Sequence, residues 1–218
     1  MPENTTRKEY EMGHGASRLQ VAKVITDTKA EYALDTWKEL PGLEEVNGTY
    51  DKKAETFYAD NKAAKNLTTE GAPTRKFTLL GKLDPYYVAY LNNDYYNEAT
   101  GVYIEKKATT QQLFAVRYIT DLTDGDKVYS TWFACSLTNR SEETDKTRSD
   151  SIEKTQTVLE FTCLDPIHSW KLADDTTFNN RQLNIYQSKS NLNLESYWDE
   201  LKDLMPDEAD GVTETASE

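Results

Sequence analysis

In the strongest runs of this chain apolar residues return near every second position, the spacing of a half-buried strand, and two stretches lengthen that spacing to a helical one. The strongest alternation lies in Phe114-Ala-Val-Arg-Tyr118 and Val158-Leu-Glu-Phe-Thr162, within the β-branched and aromatic runs Leu113 to Leu137 and Thr155 to Leu164. Asp124-Gly125 punctuates the first run with a hairpin signal, so Leu113 to Thr120 is predicted to pair with Lys127 to Leu137. Between the two runs, Ser141-Glu-Glu-Thr-Asp-Lys-Thr-Arg-Ser-Asp150 lacks any residue able to bury a face. It predicts a charged arm, residues 138–154, projecting from a sheet.

Weaker strands are predicted elsewhere. Arg18 to Thr26 offers Leu19, Val21, Val24 and Ile25 to a core. The Leu40-Pro-Gly-Leu43 turn introduces Glu44 to Thr49, with Lys53 to Ala59 as its antiparallel return. A turn at Ala59-Asp-Asn-Lys62 leads to Ala63 to Thr69, and Arg75 to Leu80 alternates Phe77 and Leu79 with polar neighbours. Gly101 to Glu105 and Gln182 to Tyr186 read as short strands, and residues 1–16 as a flexible arm.

The first helical stretch follows Asp84 as N-cap and Pro85 at the first helical position, and it ends near Asn92-Asn93. Its stripe of Tyr86, Tyr87, Tyr90 and Leu91 is predicted to pack on the sheet. The second places Leu194, Tyr197, Trp198, Leu201 and Leu204 at helical spacing, between an Asn193 N-cap and a stop at Pro206. This amphipathic helix requires a groove on its own sheet or on a neighbour. The predicted organisation is an arm (1–16), a mainly β domain (17–172), an extension (173–206) carrying the helix 194–204, and a disordered acidic tail (207–218).

At 218 residues the chain suits one domain or one domain with an appendage, and 14 Tyr, 6 Phe and 4 Trp supply core material. The formal net charge of -13 argues against a tightly gripped phosphate backbone, which needs clustered Lys and Arg. No window approaches the roughly 18 consecutive apolar residues of a membrane span. The first residues lack the apolar core of a signal peptide, so the chain is expected to avoid membranes and to be made and assembled in the cytoplasm. Cys135 and Cys163 are then expected to be reduced core residues, and pairing of their two runs would bring them into a cross-strand neighbourhood.

No catalytic, cofactor-binding or metal-binding set emerges. The sequence holds no Gly-x-Gly-x-x-Gly, no phosphate-binding loop, no His-Glu-x-x-His and no nucleophile elbow. Gly13-His14-Gly15 reads as a tether. Glu44-Glu45 and Asp174-Asp175 read as solvated charge, since neighbours on a strand point to opposite faces. The mixed-sign residues Glu142, Glu143, Asp145, Lys146, Arg148 and Asp150 suit a different role, the steering and registering of subunits against one another.

Leu40-Pro-Gly42, Thr56-Phe-Tyr-Ala-Asp-Asn61, Phe114-Ala-Val-Arg-Tyr118, Asp124-Gly125, Tyr129 to Phe133, and Glu142 to Thr147 leading into Val158-Leu-Glu-Phe-Thr162 occur in an order that resembles the phi13-like major tail proteins of long-tailed bacteriophages. The resemblance spans roughly residues 10 to 170, and the segment after Trp170 departs from it. It implies a β-sandwich or barrel-like subunit with one flanking helix, assembled as hexameric rings that stack into a tail tube. It further implies no enzymatic activity and a place in the virion. Its partners would be other copies of itself, a tape measure protein and a tail terminator, with DNA passing through the lumen without specific binding. A β-sandwich module for carbohydrate is the alternative, and a glycoside hydrolase a distant third.

Overall fold

The alternating runs pair with one another, as their period requires. The structure, a computed structural model, describes residues 13–50, 52–59, 62–107, 111–123, 125–142, 155–171, 177–187 and 193–199. In chain order its elements are β1 (Gly13–Asp27), β2 (Tyr32–Leu34), β3 (Lys38–Leu40), β4 (Leu43–Thr49), β5 (Lys52–Ala59), β6 (Lys62–Glu70), β7 (Thr74–Leu80) and α1 (Pro85–Asn92). There follow β8 (Tyr95–Asn97), β9 (Val102–Ile104), β10 (Leu113–Leu122), β11 (Lys127–Glu142), β12 (Gln156–Leu164), β13 (Trp170–Lys171), β14 (Thr177–Phe178), β15 (Gln182–Tyr186) and α2 (Leu194–Asp199).

Among the described residues nine strands form one sheet in the order β2-β1-β10-β11-β12-β7-β4, with β3 also on β1 and β15 also on β11. Every pairing in it is antiparallel. The sheet curls until β4 lies within 8 Å of β1, Cα to Cα, so its two ends approach as in a barrel. Leu19, Val21, Phe77, Leu79, Phe114, Val116, Tyr118, Trp132, Cys135, Leu159, Phe161 and Cys163 fill the interior. Phe77 and Phe161 meet edge to face at 5.9 Å, a favoured arrangement for aromatic rings.

The α1 helix starts where its sequence dictates: the Asp84 carboxylate accepts the Tyr86 N–H at 2.8 Å, and Pro85 occupies the first turn. It ends at Asn93, held in the left-handed region at φ 61°, where Asn is tolerated. Ala89 and Leu91 are buried, whereas Tyr86, Tyr87 and Tyr90 of the expected stripe are half-buried. The Tyr90 hydroxyl accepts the Lys23 N–H at 2.9 Å, which ties the helix to β1. Burial pushes the Tyr90 phenol up to about 12, against the pull of the Lys23 N–H and with Asp35 nearby.

Four expectations are corrected. Ile25, predicted to be buried, is 64% exposed, because β1 pairs Val24 with Leu34 and Thr26 with Ala33, leaving Ile25 as the extra residue of a bulge. Lys53 to Ala59 returns along β6, not along Glu44 to Thr49, since β4 spends its ladder on β7. Gly13 to Ala16, read as part of a flexible arm, are strand and pair with β10. Thr138 to Glu142, read as the root of the charged arm, continue β11, and Asn139 to Glu142 pair with β12. Gly125 turns the predicted β10 to β11 hairpin at φ +83°, and Asp124 lies outside the described residues.

Replacing Phe161, fully buried, by alanine should cost about 3–5 kcal/mol in urea unfolding, whereas Ile25→Ser should stay within about 0.5 kcal/mol of the parent. A second measurement concerns pH. The Tyr90 pKa is raised on folding, so its contribution is complete below the unfolded value of about 10 and is lost as pH rises through the folded value of about 12. Urea midpoints between pH 9 and 12 should therefore fall less steeply in Tyr90→Phe than in the parent.

Candidate assembly surface

Alternation along β10 sends Phe114, Val116 and Tyr118 inward, so Ala115, Arg117 and Ile119 face the other side of the sheet. That side is also covered. Arg117 is 1% exposed, and its Nε donates to Gln20 Oε1 at 2.6 Å. Its guanidinium lies 4.2 Å from the Trp37 ring and 4.4 Å from the Trp198 ring. Removing a cation from water is costly, and stacking between two indoles with a hydrogen bond at the edge offsets that cost.

Trp198 comes from α2, the C-terminal helix predicted from sequence. Asn193 caps it by accepting the Ser196 N–H at 3.2 Å. Leu194 and Trp198 are buried and Tyr197 half-buried, in a cluster with Ile119, Tyr129 and Ile185. The Trp198 and Tyr129 rings meet edge to face, with centroids 5.1 Å apart and planes at 67°. At the rim, Arg18 pairs with Asp199 and, at 3.5 Å, with Glu39, while Lys127 approaches Glu195 at 3.8 Å. These exposed pairs set the helix register and add little energy. The helix thus sits on its own subunit's sheet; Leu201 and Leu204 lie outside the described residues.

Of the charged-arm residues, Glu142 closes β11 opposite Thr157. Glu143, Asp145, Lys146, Arg148 and Asp150 lie outside the described residues. The strand that precedes them outruns its neighbour: β10 reaches β11 only as far as Ser136, opposite Leu113, and among the described residues Leu137 to Glu142 pair on their β12 edge alone. Two further elements carry unpaired edges. The β5–β6 hairpin pairs with no other strand among the described residues, and neither does the small β8–β9 hairpin, whose Tyr95, Val102, Tyr103 and Ile104 are exposed. Unpaired strand edges and exposed apolar side chains both favour association.

A groove of about 480 Å³ opens beside β15, lined by Tyr50, Trp132, Asp165, Asn180, Arg181 and Gln182. Arg181 grips Asp165 there through two hydrogen bonds of 2.8 and 3.1 Å. Among the described residues no three His, Cys, Asp or Glu side chains converge on a metal-sized site, and no helix is long and apolar enough to cross a membrane. Sequence reasoning missed Gln20, Trp37 and Arg117. The available signal was Arg117 itself, a cation in the middle of the strongest apolar alternation of the chain.

No protein-family model and no curated protein matches this sequence. Among solved structures the chain is similar to a chain of the six-fold symmetrised anti-feeding prophage baseplate, at 8% identity and a TM-score of 0.38, covering 68% of this chain and 90% of that one. It is also similar to a type six secretion system protein, at 10% identity and a TM-score of 0.30, covering 78% of this chain and 92% of the other. At these scores neither likeness assigns the chain a family or a role.

Truncating Trp198 to alanine should strip one ring from Arg117 and open a cavity under α2. The expected loss is about 3–5 kcal/mol in urea unfolding, together with faster amide exchange that is most marked across residues 193–199.

Proposed function

We propose that this chain is a structural virion protein, the major subunit of a bacteriophage tail tube, which closes into hexameric rings that stack around the path of DNA. The observation that carries this reading is the β5–β6 hairpin, which joins no strand of the curled antiparallel sheet and has both outer edges unpaired among the described residues. A closed ring of identical subunits satisfies such edges, and a heterologous interface that closes by rotation yields one. The residues that carry the sequence resemblance lie on the hairpin and on the central strands of the sheet. Thr56 to Ala59 lie on β5, Phe114 to Tyr118 on β10, Tyr129 to Phe133 on β11 and Val158 to Thr162 on β12.

Charge supports the same reading. At a formal net charge of -13, a subunit with acidic side chains toward the channel would repel phosphate and let DNA pass without sticking. The segment 143–154 then bridges to an adjacent subunit or ring, where its mixed signs register the contact. Other copies of the chain, a tape measure protein and a tail terminator are its proposed partners, and assembly takes place in the host cytoplasm.

The groove at Tyr50, Asp165, Asn180, Arg181 and Gln182 favours a second reading, a carbohydrate-binding module, because a half-exposed aromatic ring beside side-chain amides suits sugar hydroxyls. Negative-stain microscopy of the purified chain separates the two. Rings or tubes are expected, and a persistent monomer retained on glycans would replace the first reading with the second. Deleting Glu143 to Asp150, which spares the last paired residue of β11, should leave a folded monomer that no longer polymerises; normal tubes from that variant would reject the bridging role.

A further inference from the structure

The two cysteines lie directly opposite each other at the centre of the sheet. Cys135 on β11 is paired with Cys163 on β12, both are fully buried, and their sulfur atoms are 3.3 Å apart. The Cys163 N–H donates to the Pro73 carbonyl at 2.8 Å, so it points away from β11. In an antiparallel ladder this marks a non-hydrogen-bonded pair, whose Cα atoms sit about 4.5 Å apart with their side chains close. That spacing falls inside the range a disulfide spans, and bond formation asks the sulfurs to approach by about 1.2 Å.

We propose that Cys135 and Cys163 form a redox modification site, which a peroxide converts into an intramolecular cross-strand disulfide without moving either strand. In the first step the Cys135 thiolate attacks one peroxide oxygen. The O–O bond breaks, hydroxide leaves and takes up the proton the thiol released, and a sulfenic acid remains. In the second step the Cys163 sulfur attacks the sulfenic sulfur, the S–S bond forms, the S–O bond breaks, and the oxygen departs as water with the Cys163 proton. Two thiols are oxidised and one peroxide is reduced to two waters. The bond would staple β11 to β12 below the charged segment, closing a loop between positions 28 apart in sequence.

Burial, reinforced by the neighbouring Cys163, raises the Cys135 thiol well above its ordinary value, so little thiolate is present in the closed sheet. A small oxidant and slow reaction follow from that environment. With only two cysteines in the chain, an intramolecular disulfide has a single possible connectivity. The site does not depend on the tail reading, since it needs only the folded monomer.

The test is hydrogen peroxide treatment of the full chain, both folded and during refolding, followed by thiol tagging under denaturing conditions, non-reducing electrophoresis and peptide mapping. Both thiols should vanish together, the chain should stay monomeric, and one peptide should join Cys135 to Cys163. The melting temperature should rise by about 5–10 °C and return on adding dithiothreitol. In Cys163→Ser the remaining thiol should trap as a sulfenic acid with dimedone, with no such rise. Two taggable thiols after oxidative refolding, disulfide-linked dimers, sulfinic acid at either position, or a lowered melting temperature would each overturn the proposal.

Discussion

The structure depends on the hydrogen-bonding capacity of a single strand, β11. One edge of it serves β10, while the other is divided, with Val128 to Trp132 taking β15 and Ala134 to Glu142 taking β12. The handover falls at Phe133, whose N–H donates to the Arg181 carbonyl at 3.2 Å, so the ladder is not interrupted where the partner changes. Both of its faces are covered as well. The interior takes Trp132 and Cys135, while Tyr129 lies under α2 and Phe133 packs on Trp170 and Phe178. A strand so enclosed reads as continuous burial from Val128 to Ser136, in the manner of a strand covered on two sides.

That enclosure explains why the chain continues after the barrel-like sheet is complete. Arg117 projects from β10 on the outer face, where an uncovered guanidinium between Ala115 and Ile119 would stay hydrated and leave both apolar neighbours wet. Trp37, from the chain just before β3, and Trp198, from α2, cover it from two directions. Arg75 repeats the arrangement across the sheet, its guanidinium 4.6 Å from the Tyr50 ring and 4.4 Å from Trp132. A planar, weakly hydrated cation accepts two rings at once, whereas a lysine at either position would present a compact, strongly hydrated charge. The C-terminal segment is thus part of the same folded body through a cation on β10.

Much of this was legible beforehand, and what was illegible has a common physical origin. Phe114, Val116 and Tyr118 read as inward because β10 keeps strict alternation, and α1 was placed by Asp84 and Pro85, whose roles are local. Ile25 misled because a bulge inserts one residue, which periodicity alone does not register. The partner of Lys53 to Ala59 misled because pairing is decided between strands distant in sequence, where β7 outcompetes a near neighbour. The cover over Arg117 was invisible for the same reason, since Gln20, Trp37 and Trp198 meet it only after the sheet has curled. The charged residues from Glu143 to Asp150 were conspicuous in sequence and lie outside the described residues.

One feature of β11 bears on how the chain tolerates change. Against β10 the strand carries an extra residue between Trp132 and Cys135, and against β12 it carries another at Thr138, whose hydroxyl donates to the Glu160 carbonyl at 3.1 Å. The first keeps Trp132 and Cys135 on the same interior face, and the second restores the original parity before the strand ends. Losing Thr138 alone would remove the bulge while keeping the ladder, with half-buried Arg140 still opposite buried Leu159 and exposed Asn139 still opposite Glu160. A one-residue change in this strand is therefore absorbed at the bulge, whereas the same change at a paired position would turn every residue beyond it to the opposite face.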